Sequence, residues 1–357
     1  MRAVSGLHLD YVSPAEYHAA SWGDVLGVAA FNGAAGGMCD AIAGIPVAEV
    51  STPVLAPAAH VCEVWRHTTP AESGECERVR FRRTAELLFG CIAVTEAETR
   101  ADGAWRARAH PAPPGSGSPL HEATTQVYRQ ICATLDAQGY PHLLRVWNYV
   151  PDINRDSGGT ERYRQFNRAR QHALQASGRP LTGGVPAASA LGAVAGSPMV
   201  VYFLAGRSAP TFVENPRQVS AYHYPPRYGT HSPVFSRATL LRQGEGLTLF
   251  VSGTASIVGH RSLHVGDAAA QTRETLANIE ALLAEANRVA RGAHFSLGSL
   301  ACKVYVRRPA DLPVIQAQLH TALGSGARAV YLQADICRQD LLVEIEAAGM
   351  CPVATAG

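Results

Sequence analysis

A glutamate near the end of the chain, Glu344, is the first residue whose placement could do chemistry. Residues 329–347, AVYLQADICRQDLLVEIEA, hold two short apolar runs, 329–336 and 341–345, around a polar link at 338–340. Runs this short, rich in Val, Ile, Leu and Tyr, predict strands rather than helix. Side chains alternate along a strand, so Leu342, Glu344 and Glu346 share one face while Leu341, Val343 and Ile345 share the other. If the second set enters a core, Glu344 projects from a rigid element, and a carboxyl facing a pocket there could serve as a general acid. The alternative is an ordinary solvated strand face.

A second concentration lies at 211–237, where Arg217, Arg227 and Arg237 are interleaved with Tyr222, Tyr224 and Tyr228. Arginine offers a planar fork that matches a carboxylate, and tyrosine adds a hydroxyl beside an apolar ring, so the set suits a small carboxylated ring or enol acid. A proline-rich surface loop of stacked Arg and Tyr would read the same way. No metal site is expected: His260 and His264 are four apart on a predicted turn and His223 stands alone, with no third ligand in view. No G-x-S-x-G elbow occurs, and the glycine run at 32–40 lacks both a GK[ST] ending and G-x-G-x-x-G spacing, so it reads as a turn.

Composition narrows the classes further. With 47% hydrophobic and 17% charged residues over 357 positions, the chain is globular and large enough for two lobes. A formal net charge of +2 gives no argument for nucleic acid or an anionic membrane as partner. Eight scattered cysteines with no C-x-x-C pair suggest reduced thiols and a cytoplasmic location. The start, MRAVSGLHLDYV, has no signal-peptide core, and the uncharged stretch 180–206 is too broken by Pro and Gly for a membrane span.

The elements that must position the candidates alternate. Strands are predicted at 24–31, 87–94, 142–150, 199–205, 247–258, 300–307 and 329–336; 111–119 is a loop by composition. Helices are predicted at 121–137, 161–174, 268–286 (with Asp267 as N-cap) and 313–323. EATTQVYRQI echoes AAAQTRETLANI, and HLLRVWNYVPDI echoes LACKVYVRRPADL, which points to a duplicated α/β (α+β) unit with lobes at 1–195 and 196–357 joined through 181–197.

GDAAAQTRETLANIEALLAEA at 266–286 followed by DLLVEIEA at 340–347 resembles the RidA/YjgF superfamily. The set WNYVPDIN (147–154), ERYRQFNRAR (161–170), FVENPRQVSAYHYP (212–225), SGTASIVGH (252–260) and ADICRQDLLVEIE (334–346) resembles the chorismatases, a two-lobed branch of that fold. The resemblance implies two RidA/YjgF-like lobes of chorismate-mutase-like sheet packed with helices. It implies cofactor-free cleavage of the enolpyruvyl ether of chorismate, with release of pyruvate. Glu344 is then the acid that protonates the enolpyruvyl methylene, and Arg217 with Tyr224 holds the ring carboxylate. Gly253 and Cys337 are the pair associated with the 3-hydroxybenzoate branch, where the hydrolytic branch carries Ala and Val; Cys337 counts with Glu344 as catalytic. Tyr149 and Arg162 line or support the pocket. Some relatives also release 4-hydroxybenzoate. Competing expectations are a hydrolytic chorismatase giving a dihydroxycyclohexadiene carboxylate, a RidA-like enamine or imine deaminase, and a metabolite-binding protein without turnover. Either a monomer or a homotrimer is compatible with this resemblance.

Overall fold

Apolar runs bounded by turn residues become strands, and 3.6-residue periodicities become helices, at nearly the predicted positions. The computed structural model describes residues 6–13, 16, 23–32, 44–57, 60–101, 117–292, 294–324 and 326–352. Most of the glycine run at 32–40 and of the loop at 111–119 lies outside the described residues. The helix Pro119–Gln138 starts on a Ser118 cap whose Oγ accepts the His121 N–H at 3.2 Å, and ends at Gly139 with φ 72°. Asp267 caps Ala268–Ala290 as expected, accepting from Ala270 N at 2.9 Å. No described helix is long and apolar enough to cross a membrane.

The duplication is topological. In the first lobe the strands Val79–Arg83 and Leu87–Val94, the helix Pro119–Gln138, the strand His142–Pro151, the helix Arg162–Ala176, and the strands Ala187–Ala193 and Met199–Gly206 follow one another. In the second, Ala238–Gln243, Gly246–Ala255, the helix Ala268–Ala290, Ala301–Val306, the helix Leu312–Leu323, Arg328–Gln333 and Val343–Pro352 repeat that order. In both, the last strand inserts antiparallel between the second and third, and the third and fourth run parallel across a helical crossover.

Three expectations change. The joining segment 181–197 is not a linker: Ala187–Ala193 is a strand of the first-lobe sheet. Its small residues hid it from propensity reasoning, and they are small because the other lobe's backbone comes close. Gly192 donates its N–H to the Asp335 carbonyl at 2.7 Å, and a Cβ there would meet the Asp335 Cβ at 2.7 Å. The first lobe also continues past the expected boundary at 195, since Met199–Gly206 pairs with His142–Pro151 and Leu87–Val94. Finally, the strand expected at 341–345 starts at Val343 and runs on to Pro352. Leu342 therefore packs with the helix-side core, while Leu341 joins the cluster between the lobes.

The N-terminal residues, of which sequence indicated only the strand at 24–31, build a third sheet ordered Leu7–Val12, Val61–His67, Val25–Phe31, Val47–Val50. Its central strand Val25–Phe31 pairs parallel with Val47–Val50 and antiparallel with Val61–His67, which is the lobe pattern without its first strand. Val54–Ala56 then extends the second-lobe sheet at its edge, against Arg328–Gln333. The three sheets share one apolar cluster that includes Phe31 and Trp65 from the N-terminal sheet, Trp147 and Tyr202 from the first lobe, and Phe250 and Tyr305 from the second.

Candidate active site

The alternation read from 341–347 decides which way the glutamates point. Val343, Ile345 and Ala347 pack under the helices of their own lobe, so Glu344 and Glu346 face the first lobe across the sheet-to-sheet interface. That opposite face is not solvated: Glu344 is 4% exposed and Glu346 3%. Although they share a strand face, the two carboxyls meet different surroundings.

Glu346 is surrounded by donors. Arg145 Nη2 donates to Oε2 at 2.7 Å, Ser189 Oγ to Oε2 at 2.5 Å, and Trp147 Nε1 to Oε1 at 2.8 Å; Lys303 Nζ is 2.8 Å from Oε1. Lys303 also pairs with Glu63, whose Oε1 accepts from Trp65 Nε1 at 2.7 Å. Burial would push the Glu346 carboxyl up, but Lys303 and Arg145 outweigh it and hold it below its ordinary range. Burial likewise works against the Lys303 charge, and Glu346 with Glu63 overcomes it.

Glu344, two residues earlier, opens into a cavity of about 670 Å³ between the lobes. Burial pushes its carboxyl up to about 8, the Glu346 charge adds to this, and Arg145, Arg307 and Arg237 oppose it. Cys337 Sγ lies 4.0 Å from Glu344 Oε2, and burial with the nearby Glu344 pushes that thiol up to about 12, so it is a neutral thiol at physiological pH. The Cys337 loop is held by Arg307, which donates to the carbonyls of Leu341 (2.7 Å), Ile336 (3.1 Å) and Arg338 (2.9 Å) and pairs with Asp335.

Gly253 completes the wall around the acid. It sits in a bulge, where Val251 pairs with Ala347 and Thr254 with Ile345, so Ser252 and Gly253 together oppose Glu346. The Gly253 N–H donates to Ser189 Oγ at 3.1 Å. A methyl at Gly253 would overlap the Glu344 Oε1, lie 2.8 Å from its Cδ and 3.2 Å from Ser189 Oγ. The absence of a side chain is what gives the carboxyl its place.

The rest of the cavity is cationic and aromatic. Arg164, Arg170, Arg227, Arg237 and Arg338 line it with Tyr163, Tyr224 and Tyr228, against the carboxyls of Asp156, Glu161, Asp340 and Glu344. Because Glu344 is neutral up to about pH 8, positive charge is in excess, as a dianionic ligand would require. Arg237 Nη2 donates to Tyr224 Oη at 2.8 Å, and the Arg338 guanidinium stacks 4.0 Å from the Tyr228 ring centroid. A protonated carboxyl in such a cavity can deliver a proton to an electron-rich double bond of an anionic substrate.

Of the seven residues to which the resemblance gives a role, Glu344, Cys337, Gly253 and Tyr224 line this cavity and Arg217, Tyr149 and Arg162 do not. Arg217 is corrected: its segment pairs with Gly259, and its guanidinium turns to the helix Ala268–Ala290, where Glu274 (2.5 Å) and Asn278 (2.8 Å) take it. Arg237, from the same Arg/Tyr stretch, occupies the cavity instead. Tyr149 is fully buried behind the site with its hydroxyl 2.7 Å from that of Tyr305, and burial raises its pKa. Arg162 ties Pro151 to the helix Arg162–Ala176 through its Nε at 2.9 Å and also pairs with Glu96, so it supports the cavity from outside. Sequence reasoning missed Ser189, Lys303 and Arg145 altogether. Arg145 and Lys303 did carry a signal, since they occupy the same place in the HLLRVWNYV/LACKVYVR echo. Among the described residues, no group of three or more His, Cys, Asp or Glu could hold a metal.

The profile described as "Chorismatase FkbO/Hyg5-like, N-terminal" matches residues 63–205. A Streptomyces hygroscopicus protein named 3-hydroxybenzoate synthase is 38% identical over 313 residues, 85% of this chain and 85% of its own. Another protein of that organism, named chorismatase, is 37% identical over 290 residues, 80% of this chain and 78% of its own. A crystal structure of a chorismatase superposes on 98% of this chain and 100% of its own, with a TM-score of 0.81 and 30% identity. The RidA protein of an Antarctic Psychrobacter aligns with 40% of this chain and 99% of its own, at 18% identity and a TM-score of 0.28.

The raised Glu344 carboxyl has a consequence for stability. With a native value of about 8 against the ordinary 4.5, the folded state holds more protons than the unfolded one between these values, so stability falls as pH rises through that window. Glu344→Gln removes the effect without changing shape. The variant is expected to be more stable than wild type at pH 8–9 by a few kcal/mol, given ~1.4 kcal/mol for each pH unit of separation, and so to melt at a higher temperature. The gap should close towards pH 4.5; equal melting curves at pH 8.5 would show that Glu344 is ionised at no unusual cost.

Proposed function

The chain belongs to the chorismatase family, and on that premise we propose that it converts chorismate to 3-hydroxybenzoate and pyruvate with Glu344 as the proton donor. The observation that carries this reading is the buried carboxyl of Glu344, seated between Gly253 and Cys337 in an arginine-walled cavity. Chorismate carries two carboxylates, which matches the cationic excess of the walls. The Glu344 proton goes to the terminal methylene of the enolpyruvyl group and leaves an oxocarbenium ion at the ether carbon. The ring C–O bond then breaks, its electron pair remaining with the oxygen, and pyruvate departs.

Product choice depends on what captures the ring carbon left behind. Capture by the neighbouring ring hydroxyl, which gives up its proton, closes an epoxide; its original C–O bond then opens, the proton on the captured ring carbon leaves, and the oxygen takes up a proton to give the aromatic acid. The two products together have the composition of chorismate, so no water is consumed. Capture by water gives the diol of the hydrolytic reading. Gly253 and Cys337 support the first route, because they are the pair that the resemblance associates with it and both lie directly against the Glu344 carboxyl. Arg237, oriented by Tyr224, is the guanidinium best placed to take a substrate carboxylate.

The chain acts as a monomer in this reading, because three sheets of one chain already close around the shared apolar centre. Its seven described cysteines are free, which suits a cytoplasmic setting.

Purified protein given chorismate is expected to yield pyruvate and 3-hydroxybenzoate by chromatography, with kcat declining above about pH 8 and Glu344→Gln losing at least ~10³-fold. Gly253→Ala should cut turnover and divert product towards the diol; release of a diol by the wild type would move the protein to the hydrolytic branch. Arg237→Ala is expected to raise KM at least tenfold, as befits a lost charge-assisted contact of ~1.5–3 kcal/mol. Arg217→Ala, which breaks the partly exposed contacts with Glu274 and Asn278 outside the cavity, should change KM less than about threefold. The reverse ranking would return the carboxylate site to Arg217. Light scattering should report a mass near 37.8 kDa; three times that value would mean a trimer.

A further inference from the structure

We infer that Glu346 is a positioning residue for the reaction: ionised between Arg145 and Lys303, it keeps the neighbouring Glu344 in its acid form through the charge balance of a buried cluster. The inference rests on Glu344 being the proton donor. Its starting point is the contrast between two carboxyls on one strand face. Arg145, Ser189, Trp147 and Lys303 all direct hydrogens at Glu346 within 2.8 Å. Among the described residues, no guanidinium or ammonium forms an ion pair with Glu344, whose carboxyl meets only the Cys337 thiol at 4.0 Å. Donors favour a carboxylate and their lack favours a carboxylic acid, so the two environments divide the roles. A fixed negative charge two residues away, in a medium poor in water, then disfavours a second one on Glu344.

The cluster is balanced. Arg145 and Lys303 are matched by Glu346 and Glu63, and all four are at most 3% exposed. Other charges face Glu344 as well. Arg307 is occupied by Asp335; Arg237 stands on the cavity wall with Tyr224; Arg338 and Asp340 lie on the loop beyond Cys337. Tyr163 approaches from the helix Arg162–Ala176 as a neutral phenol, burial holding its pKa well up. Burial and, after it, the Glu346 charge hold the Glu344 carboxyl protonated, while Arg145, Arg307 and Arg237 draw it towards ionisation. Ser189 ties the cluster to the site physically, donating to Glu346 while accepting the Gly253 N–H that fixes the wall beside Glu344.

Charge balance makes opposite demands of opposite substitutions, whereas damage to packing would not. Glu346→Gln leaves the cluster cationic, so the fall of kcat with pH should move down by at least about one pH unit, a tenfold change in the ionisation constant. Lys303→Met leaves it anionic and should move the fall upward. In Glu346→Gln with Lys303→Met together, Arg145 and Glu63 balance and the profile should return towards wild type. Profiles that shift the same way in both single variants, or not at all, overturn the inference; if one single variant fails to fold, the sign in the other decides.

The Glu344 carboxyl is followed in parallel by carbon-13 NMR of glutamate-labelled, substrate-free protein, assigned with Glu344→Gln. This readout separates the two ideas. If its titration moves oppositely in the two variants while Glu344→Gln still releases pyruvate, the cluster acts as inferred and the proton-donor reading falls. If Glu344→Gln is inactive but the titration stays fixed in both variants, the donor reading stands and the inference about Glu346 falls.

Discussion

Four charged side chains buried at the meeting of three sheets constrain the rest of this structure. Taking an ion out of water costs several kcal/mol even after relaxation, so each member of the Glu63–Lys303–Glu346–Arg145 cluster is tolerable only if its partners are in place. Those partners come from different parts of the chain: Glu63 from the N-terminal sheet, Arg145 from the first lobe, Lys303 and Glu346 from the second. Trp65, Trp147 and Tyr202 donate into the same cluster, so its polar atoms are met by indole and phenol groups as well as by charge. The N-terminal sheet is thereby tied to the active cavity, although none of the described residues up to 67 lines it.

Duplication supplied the frame, and divergence made one interface different. Arg145 and Lys303 occupy equivalent places in the two lobes, yet both turn to one carboxylate on the second lobe's last strand. The strand pairing puts Tyr202 of the first lobe where Glu344 stands in the second, opposite Trp147 and Tyr305 respectively. A buried phenol is inert at neutral pH, whereas a buried carboxyl is an acid poised near it. The same strand position therefore gives packing in one lobe and chemistry in the other. At the interface where Glu344 emerges, the bulge at Gly253 and the small-residue strand Ala187–Ala193 leave space for a substrate.

Local patterning carried much of this in legible form. The apolar runs at 87–94, 142–150 and 199–205, the helical periodicities, the Asp267 cap and the alternation around Glu344 each depend on neighbours in sequence, and each took its predicted form with small shifts at the ends. The strand at 187–193 did not, since Ala, Ser and Gly have little propensity of their own and are there to admit the backbone of the other lobe. Of the N-terminal sheet only the strand at 24–31 was legible in sequence; its partners at 7–12, 47–50 and 61–67 are short and are paired by contacts between residues that are not neighbours in the chain. Among the arginines of 211–237, residue type pointed to an anion site, but which of them reaches it depends on the pairing of 217–219 with Gly259.

The sequence by itself determined the duplicated α/β unit, the strand that carries Glu344, and, through family resemblance, the chemistry to expect of it. Those follow from period-two and period-3.6 patterns and from short motifs, which are properties of adjacent residues. Tertiary structure alone decided that Arg237 rather than Arg217 enters the cavity, that Gly253 leaves room for the carboxyl, and that Glu346 is ionised while Glu344 is not. The two glutamates are the same residue type on the same face of one strand. Only the through-space arrangement of Arg145, Ser189 and Lys303, contributed by strands as far as 201 residues away in the chain, gives one of them a counter-charge and leaves the other its proton.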